Sequence, residues 1–298
     1  MLIDLHAHST ASDGTDTPAG LVAAAAAAGV DVLAITDHDT TAGWAAAAAE
    51  ARRAGVLLVR GAEITCRADG VSVHLLSYLH DPGHAALAAV LADSRSTRLH
   101  RARRMTDLLA RDYPVTWDDV LAQAASGATV GRPHVADALV AVGVVASRDE
   151  AFATVLGEGS PYVLGLGAPH PVDAVRLVRE AGGVPVIAHA LASARGRVVS
   201  EAVLEAMVEA GMPGVEVDHR DHTAADRARL RAFAAAHGLF TTGSSDYHGS
   251  GKQNRLAENT TPPESLERVF TLATGLDDGP SPAGGPLSGA GPGAPPAP

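Results

Sequence analysis

The chain has one cysteine, one lysine, few aromatic residues and no long apolar run, and each shortage narrows what it can be. A lone Cys66 can form neither an intramolecular disulfide nor a cysteine-based zinc module, so a reducing cytoplasm is the expected setting. Aromatic residues make up only 3% of 298, yet 46% of the chain is hydrophobic, so the core must rest on Val, Leu, Ile and Ala. That is enough for one large α/β domain or two medium ones. The longest apolar stretches, such as residues 21–30, are too short and too rich in Ala and Gly to span a bilayer. The first residues lack the basic segment of a secretion signal, so no membrane partner is expected. Positive charge is scarce as well. With 23 basic and 34 acidic residues the formal charge is -11, which argues against a nucleic-acid-coating surface and a stable DNA partner. A nucleotide substrate stays open, because bound divalent cations reverse the local sign.

What the chain does have is histidine and carboxylate at the ends of apolar runs. Residues 2–5 read as a short strand that delivers His6 and His8 together, since side chains two apart on an extended segment point the same way. Asp4 and Asp13 stand close by. Thr17 and Pro18 then read as the cap and first position of a helix that ends near Gly29. A strand over 30–36 ends in Asp37-His38-Asp39, and a helix over 42–54 is stopped by Gly55. A strand over 56–60 leads to Glu63, and one over 71–76 carries His74. Strands alternating with helices predict a parallel sheet or barrel, whose reactive residues collect at the C-terminal strand ends.

The rhythm changes over 81–161, where helices are expected at 87–109, 117–125, 135–142 and 148–156. This reads as a helical insertion reaching over the strand ends and dividing the barrel into 1–80 and 162–276. Its arginines, Arg95, Arg98, Arg101, Arg103 and Arg104, are expected on a solvated helix face. Within it, Gly131-Arg132-Pro133-His134 places Arg132 and His134 at a helix start. The alternation resumes with a helix over 172–181. Strands follow at 184–188 (ending in His189), 215–217 (ending in Asp218-His219) and 239–242 (leading to Ser245-Asp246-Tyr247-His248). Residues 277–298 are Pro/Gly-rich and are expected to be a disordered tail.

Seven strands that each end in a potential ligand suggest a barrel with an open end lined by His, Asp and Glu. A ligand set without thiolate suits Mn²⁺, Zn²⁺ or Fe²⁺. It also exceeds what one ion can use, so two or three metals sharing a bridging carboxylate are expected.

Taken together, Asp4-x-His6-x-His8, Ser12-Asp13-Gly14, Thr36-Asp37-His38-Asp39, Gly61-Ala62-Glu63, His74, Ala188-His189 and Ser245-Asp246-Tyr247-His248 resemble the motifs of the polymerase and histidinol phosphatase (PHP) superfamily. The resemblance covers roughly residues 1–276, and most of all it is to the bacterial branch of nucleoside 3′,5′-bisphosphate phosphatases and 5′-to-3′ exoribonucleases. It implies a distorted (β/α)₇ barrel with a helical insertion, holding up to three divalent ions, Mn²⁺ first among them. By that resemblance His6, His8, Glu63 and Asp246 hold one metal. Glu63 bridges to a second held by His74 and His189, and Asp13, His38 and His248 hold a third. Asp4 would orient an imidazole. Arg132 and His134 would reach the substrate phosphate. The implied activity is hydrolysis of a nucleotide-type phosphomonoester, such as a 3′,5′-bisphosphate or a 5′-phosphorylated short RNA. A hydroxide bridging the metals would attack phosphorus, steered by Asp246, with His189 or His248 protonating the leaving oxygen and Arg132 holding the phosphoryl group.

The chain departs from the family in reading Ala188-His189-Ala190 where related sequences carry Ala-His-Pro, which bears on the stiffness of that loop. Two other readings compete. Related metal barrels that hydrolyse amides or lactones use a lysine or carboxylated lysine as bridge, whereas Lys252 here is expected in a loop after the barrel. Non-catalytic metal-binding PHP modules tend to have lost ligands, and this chain keeps the full set. Among the remaining residues, His80, His84, His100 and His237 are expected at the surface. His170 is expected in a loop, Asp218 and His219 are open as partners of a ligand, and Cys66 is expected as a small packed residue.

Overall fold

The computed structural model describes residues 1–157 and 159–275, apart from the side chain of Arg195; the expected tail lies outside them. Seven strands form one sheet in sequential order: β1 (Ile3–Asp4), β2 (Val32–Ile35), β3 (Leu57–Ala68), β4 (Val71–Tyr78), β5 (Val184–Ile187), β6 (Gly214–Asp218) and β7 (Phe240–Gly243). The sheet curls until its ends nearly meet. The His8 amide donates to the Tyr247 carbonyl at 2.8 Å, and the Thr261 amide donates to the Ile3 carbonyl at 2.9 Å. The result is the distorted seven-stranded barrel that the resemblance implied.

Alternation along the strands divides the apolar residues into layers. Val32 and Ala34 of β2, Leu76 and Tyr78 of β4 and Val186 of β5 pack together inside the barrel. The intervening Leu33 and Ile35 turn outward onto α1 (Pro18–Ala27) and α2 (Trp44–Ala54). Likewise Val73, Leu75 and Ile187 face α7 (Pro171–Glu180), α8 (Glu201–Glu209) and α9 (Ala224–His237). Leu266 and Val269 of the last helix, Pro263–Leu272, join the inner cluster. The helices over 201–209, 224–237 and 263–272 are ones the strand pattern had not marked.

The uniformly parallel reading needs correction at β4, which runs antiparallel to both β3 and β5. The cause is local. Asp69 (φ 50) and Gly70 (φ 77) both adopt the left-handed conformation that a two-residue hairpin requires, and Asp-Gly is a favoured pair for it. Strand β3 therefore continues far past Arg60, and Glu63 sits within the strand, not in a loop after it.

Helices α3 (Ala85–Leu109), α4 (Trp117–Ala122), α5 (Arg132–Ala141) and α6 (Arg148–Ala153) pack around an apolar cluster of their own, including Met105, Leu109, Val120, Val135 and Leu139. No helix among the described residues is long and apolar enough to cross a membrane.

His80 is also corrected, since it is fully buried. Leu79 (φ 55) turns the chain so that the His80 ring lies against Trp44, its Nδ1 2.8 Å from Ser77 Oγ. Burial pushes its pKa down to about 4. The unfolded chain, with an ordinary histidine near 6.5, therefore binds the proton more readily, and stability falls as pH drops below that value. By pH 5 the loss from this residue should be about 2 kcal/mol. Urea unfolding of His80→Gln at pH 7.5 and pH 5 should show a pH-dependent loss smaller by that amount. An unchanged difference would mean that the ring is not held neutral.

Candidate metal centre

The candidate ligands gather at one end of the barrel because most follow the end of a strand, while Glu63 lies within β3 and His74 within β4. His6 and His8 come after β1, His38 after β2, and His189 after β5. Asp246 and His248 follow β7. Asp13 arrives from the loop over 9–14, which Asp37 folds by accepting from the Ser9 amide (2.8 Å), Ser9 Oγ (2.7 Å) and Ser12 Oγ (2.6 Å). Gly14 closes that loop so tightly that a Cβ would lie 2.4 Å from the His8 carbonyl oxygen. Asp39, His189 and Asp246 all have positive φ (54°, 29° and 52°), backbone strain of the kind that collects at functional sites.

Glu63 is the hub. Its Oε1 lies 2.8 Å from His74 Nδ1 and 3.0 Å from His189 Nε2. Its Oε2 lies 3.1 Å from His38 Nδ1, 3.2 Å from His8 Nε2 and 3.5 Å from His6 Nε2. One buried carboxylate thus faces two separate sets of imidazoles. A third set surrounds Asp13, with His248 Nε2 3.4 Å from Oδ1 and His38 Nε2 3.7 Å from Oδ2. Asp246 Oδ1 faces His8 Nε2 at 3.4 Å and His6 Nε2 at 3.5 Å.

Three observations fit this cluster to divalent metal. Ligand atoms from His8, Asp13, His38 and His248, from His6, Glu63 and His189, from His6, His8 and Asp246, and from His38, Glu63 and His74 each lie within 4.8 Å of one another. Among the described residues, Asp13 Oδ1, His38 Nδ1 and His248 Nε2 are buried without a hydrogen-bond partner. His6 Nε2 and His8 Nε2 point at each other across 3.1 Å, an arrangement suited to two lone pairs converging on a cation. Electrostatics agree. Burial pushes the Glu63 carboxyl up, but His74, His38 and His6 together hold it well below the ordinary carboxylate range.

Glu216 is part of the site although the sequence did not reveal it. On β6 it alternates with Val215 and Val217, which pack outward, so its carboxylate points into the barrel. Its Oε1 lies 3.1 Å from His6 Nδ1 and accepts from Ser244 Oγ, while Oε2 accepts from the His189 amide at 2.8 Å. A carboxylate behind an imidazole fixes which nitrogen carries the proton and turns the other lone pair toward a metal. The resemblance gave this task to Asp4. Instead, Asp4 accepts from the amides of His6 (3.4 Å), Ser245 (3.0 Å) and Ala257 (2.9 Å), tying β1 to the segment after β7. Glu216→Gln should lower metal affinity and activity about 10- to 100-fold, the usual cost of losing such a partner. Metal titration that gave wild-type affinity would remove Glu216 from the site.

His219 Nε2 lies 3.4 Å from Asp246 Oδ2, whereas Asp218 pairs with Arg231 at 2.6 Å, away from the cluster. Lys252 lies in the loop after β7, as expected, and its Nζ donates to Asp246 Oδ2 at 2.9 Å. Cys66 is packed as expected, its thiol pushed up by burial. His170 caps α7 and is exposed, its Nδ1 accepting from the Val172 amide at 3.4 Å.

Above the cluster opens a cleft of about 1070 Å³, large enough for a nucleotide. Arg132 lines it with its guanidinium 4.9 Å from the Phe152 ring, and makes no ion pair among the described residues. His134 is placed differently from the expectation of direct substrate contact. It is 3% exposed; its Nδ1 accepts from the Gly131 amide at 3.1 Å and the ring also hydrogen-bonds the Ser12 backbone. The first contact closes the start of α5 on itself, and the second ties it to the Asp13 loop. The expectation for the arginines of α3 holds for Arg103 and Arg104, which are exposed, but not for Arg98, which is 8% exposed with its Nε donating to Asp39 Oδ2 at 2.8 Å, nor for Arg101, which lines the cleft.

Comparison with known proteins agrees with this architecture. The PHP domain family model matches residues 4–117. A 3′,5′-nucleoside bisphosphate phosphatase of Chromobacterium violaceum is 35% identical over 259 residues, covering 87% of this chain and 91% of that protein. A 5′-3′ exoribonuclease of Haemophilus influenzae is 35% identical over 248 residues, covering 82% and 89% respectively. The crystal structure of a candidate metal-dependent phosphoesterase from Bifidobacterium adolescentis superposes with a TM-score of 0.89 at 42% identity, covering 91% of this chain and 96% of that one.

Proposed function

Because this chain belongs to the PHP family of metal-dependent phosphoesterases, we propose that it hydrolyses a phosphomonoester of a nucleotide, such as a 3′,5′-bisphosphate or a 5′-phosphorylated short RNA, in a reducing cytoplasm. The observation that carries this reading is Glu63, whose two oxygens face separate imidazole sets at the floor of a cleft walled by arginine.

In this reading His6, His8, Glu63 and Asp246 hold one ion. Glu63, His74 and His189 hold a second, and Asp13, His38 and His248 a third. Mn²⁺ is the first choice for a ligand set without thiolate, with Zn²⁺ and Fe²⁺ as alternatives. When bound, the ions supply Lewis-acid stabilisation of phosphoryl charge and a water that ionises near neutral pH. The protein supplies the rest. Glu216 orients His6, and Lys252 with His219 engages Asp246 Oδ2, so that Oδ1 faces the reaction side and can orient the attacking water. Arg132 takes a phosphoryl oxygen pair through charge-assisted bonds. Of the two proposed proton donors to the leaving oxygen, both also placed as ligands, His189 lines the cleft and His248 does not, and the proton would come from the His189 ring nitrogen that holds no ion. His248 is buried with Nδ1 2.8 Å from the Asp246 carbonyl oxygen, which suits a ligand. His134 positions the cap, formed by the insertion over 81–161, against the Asp13 loop.

Phosphate release by the Mn²⁺-loaded chain should be measured on adenosine 3′,5′-bisphosphate, AMP, a 5′-phosphorylated dinucleotide and p-nitrophenyl phosphate. Release from nucleotide monoesters supports the reading. A loaded, folded chain that cleaves only diesters, or nothing, overturns it.

A further inference from the structure

His189 has a backbone that needs outside support. Its φ of 29° lies in the left-handed region, which a residue other than glycine occupies only when its surroundings hold it there. It opens a four-residue turn, closed by the Ala192 amide donating to the His189 carbonyl at 3.1 Å. The second position of that turn is Ala190, where a proline would fix φ and an alanine does not. The turn is therefore held by what grips its amides. Glu216 Oε2 accepts from the His189 amide at 2.8 Å, and His222 Nε2 accepts from the Leu191 amide at 3.2 Å.

His222 is placed for that contact alone. It lies in the loop between β6 and α9, is 4% exposed, and has its Nδ1 2.8 Å from the Val217 carbonyl oxygen. An amide can only donate and a carbonyl can only accept, so these two neighbours fix the tautomer. Nδ1 carries the proton, and Nε2 turns its lone pair to Leu191. The His219 ring stands between the two histidines, 5.4 Å from that of His189 and 5.7 Å from that of His222. With both nitrogens taken up, His222 is not itself a ligand and acts on the cluster through the turn. The Leu191 side chain seats the back of that turn in the core, beside Leu204 and Leu230, while His189 Nε2 projects to within 3.0 Å of Glu63 Oε1.

We propose that His222 is a positioning residue for the second metal ion, holding the Leu191 amide so that His189 keeps its Nε2 turned toward Glu63. This rests on the assignment of His189 to the second ion and deepens it, because it names the residue on which that ligand's aim depends. The second ion is then the one that His222 controls. The other two sets draw their imidazoles from the segments after β1, β2 and β7, which this turn does not carry.

The test compares His222→Asn with His222→Gln, because the asparagine amide reaches the place of Nδ1 and the glutamine amide the place of Nε2. Asparagine keeps a donor for Val217 and loses the acceptor for Leu191, whereas glutamine keeps that acceptor. Mn²⁺ titration should show one ion bound about 10- to 100-fold more weakly in His222→Asn, the usual cost of losing a group that aims a ligand, and a smaller change in His222→Gln. Hydrolysis of AMP by His222→Asn should fall at limiting Mn²⁺ and return as Mn²⁺ is raised, which a damaged core would not allow. Equal titrations of wild type and His222→Asn overturn the proposal. Equal losses in the two variants also overturn it, and make His222 a packing residue. Hydrogen exchange reads the bond in the wild type without any substitution, and a Leu191 amide that exchanges as fast as in an unfolded chain overturns it as well. His189→Ala should lose the same ion. If His189→Ala instead keeps the metal content of wild type, the assignment of His189 to the second ion fails. Wild type inactive on AMP would overturn the phosphomonoesterase reading and leave the titrations to judge His222.

Discussion

Glu63→Gln is expected to reduce bound metal and to lower kcat/KM by about a thousandfold or more, the scale of losing a central electrostatic group from a water-poor site. The expectation follows from how the carboxylate is shared. Oε1 serves His74 and His189, and Oε2 serves His38, His8 and His6, so a neutral amide weakens two coordination sets in one step. Elemental analysis of wild type purified in Mn²⁺ should give more than one ion per chain, and the variant should give fewer. The melting temperature need not move in parallel. Without its negative charge the imidazole cluster loses a favourable partner, but the barrel core of Leu5, Val59, Leu76 and Val186 is untouched. Wild-type metal content together with wild-type rate in Glu63→Gln would remove the bridge and, with it, the multinuclear centre. Normal metal content with lost activity would keep the ligand sets and assign Glu63 to substrate or water instead.

The parts of this site that the sequence discloses are those whose signal is short in range. His6-x-His8, the Asp37-His38-Asp39 turn and Asp246-Tyr247-His248 each announce themselves within a few residues, because alternation and strand ends fix where such side chains point. Glu216 illustrates the opposite case. Its role depends on His6, 210 residues away, and only the flanking Val215 and Val217 hinted that it faces the barrel interior. Strand direction was hidden for a related reason: β4 reads as one more strand, and only the Asp69-Gly70 turn reverses it. Arg98 and Arg101 looked solvated because helical periodicity alone cannot tell which face of α3 turns toward β3 and the cleft. His80 looked solvated because its burial is made by Leu79 and Trp44 together, and no local pattern encodes that packing. Spacing delivered the ligands. Tertiary packing delivered the groups that aim them.

Arg132→Ala should lower kcat/KM about 10- to 100-fold on every phosphomonoester, p-nitrophenyl phosphate included, since the guanidinium grips the phosphoryl group they all share. The protein itself makes no charge-paired use of this arginine. Among the described residues it has no carboxylate partner, and its one specific neighbour is the Phe152 ring at 4.9 Å. Burial, with Arg98 nearby, pulls its pKa down, the sign of a cation held where it is not well solvated. Removing it should therefore leave the melting temperature unchanged or raise it by a few degrees, the pattern of a group kept for function at some cost in stability. That separates it from Arg148, which is paired with Asp137 and bonded to the Asp13 carbonyl, and whose loss should lower stability first. Thermal melts and steady-state rates on the same preparations decide the matter. An earlier melt with a normal rate would make Arg132 a packing partner of Phe152, whereas a normal or later melt with a uniformly low rate would make it the clamp on the phosphate being cleaved.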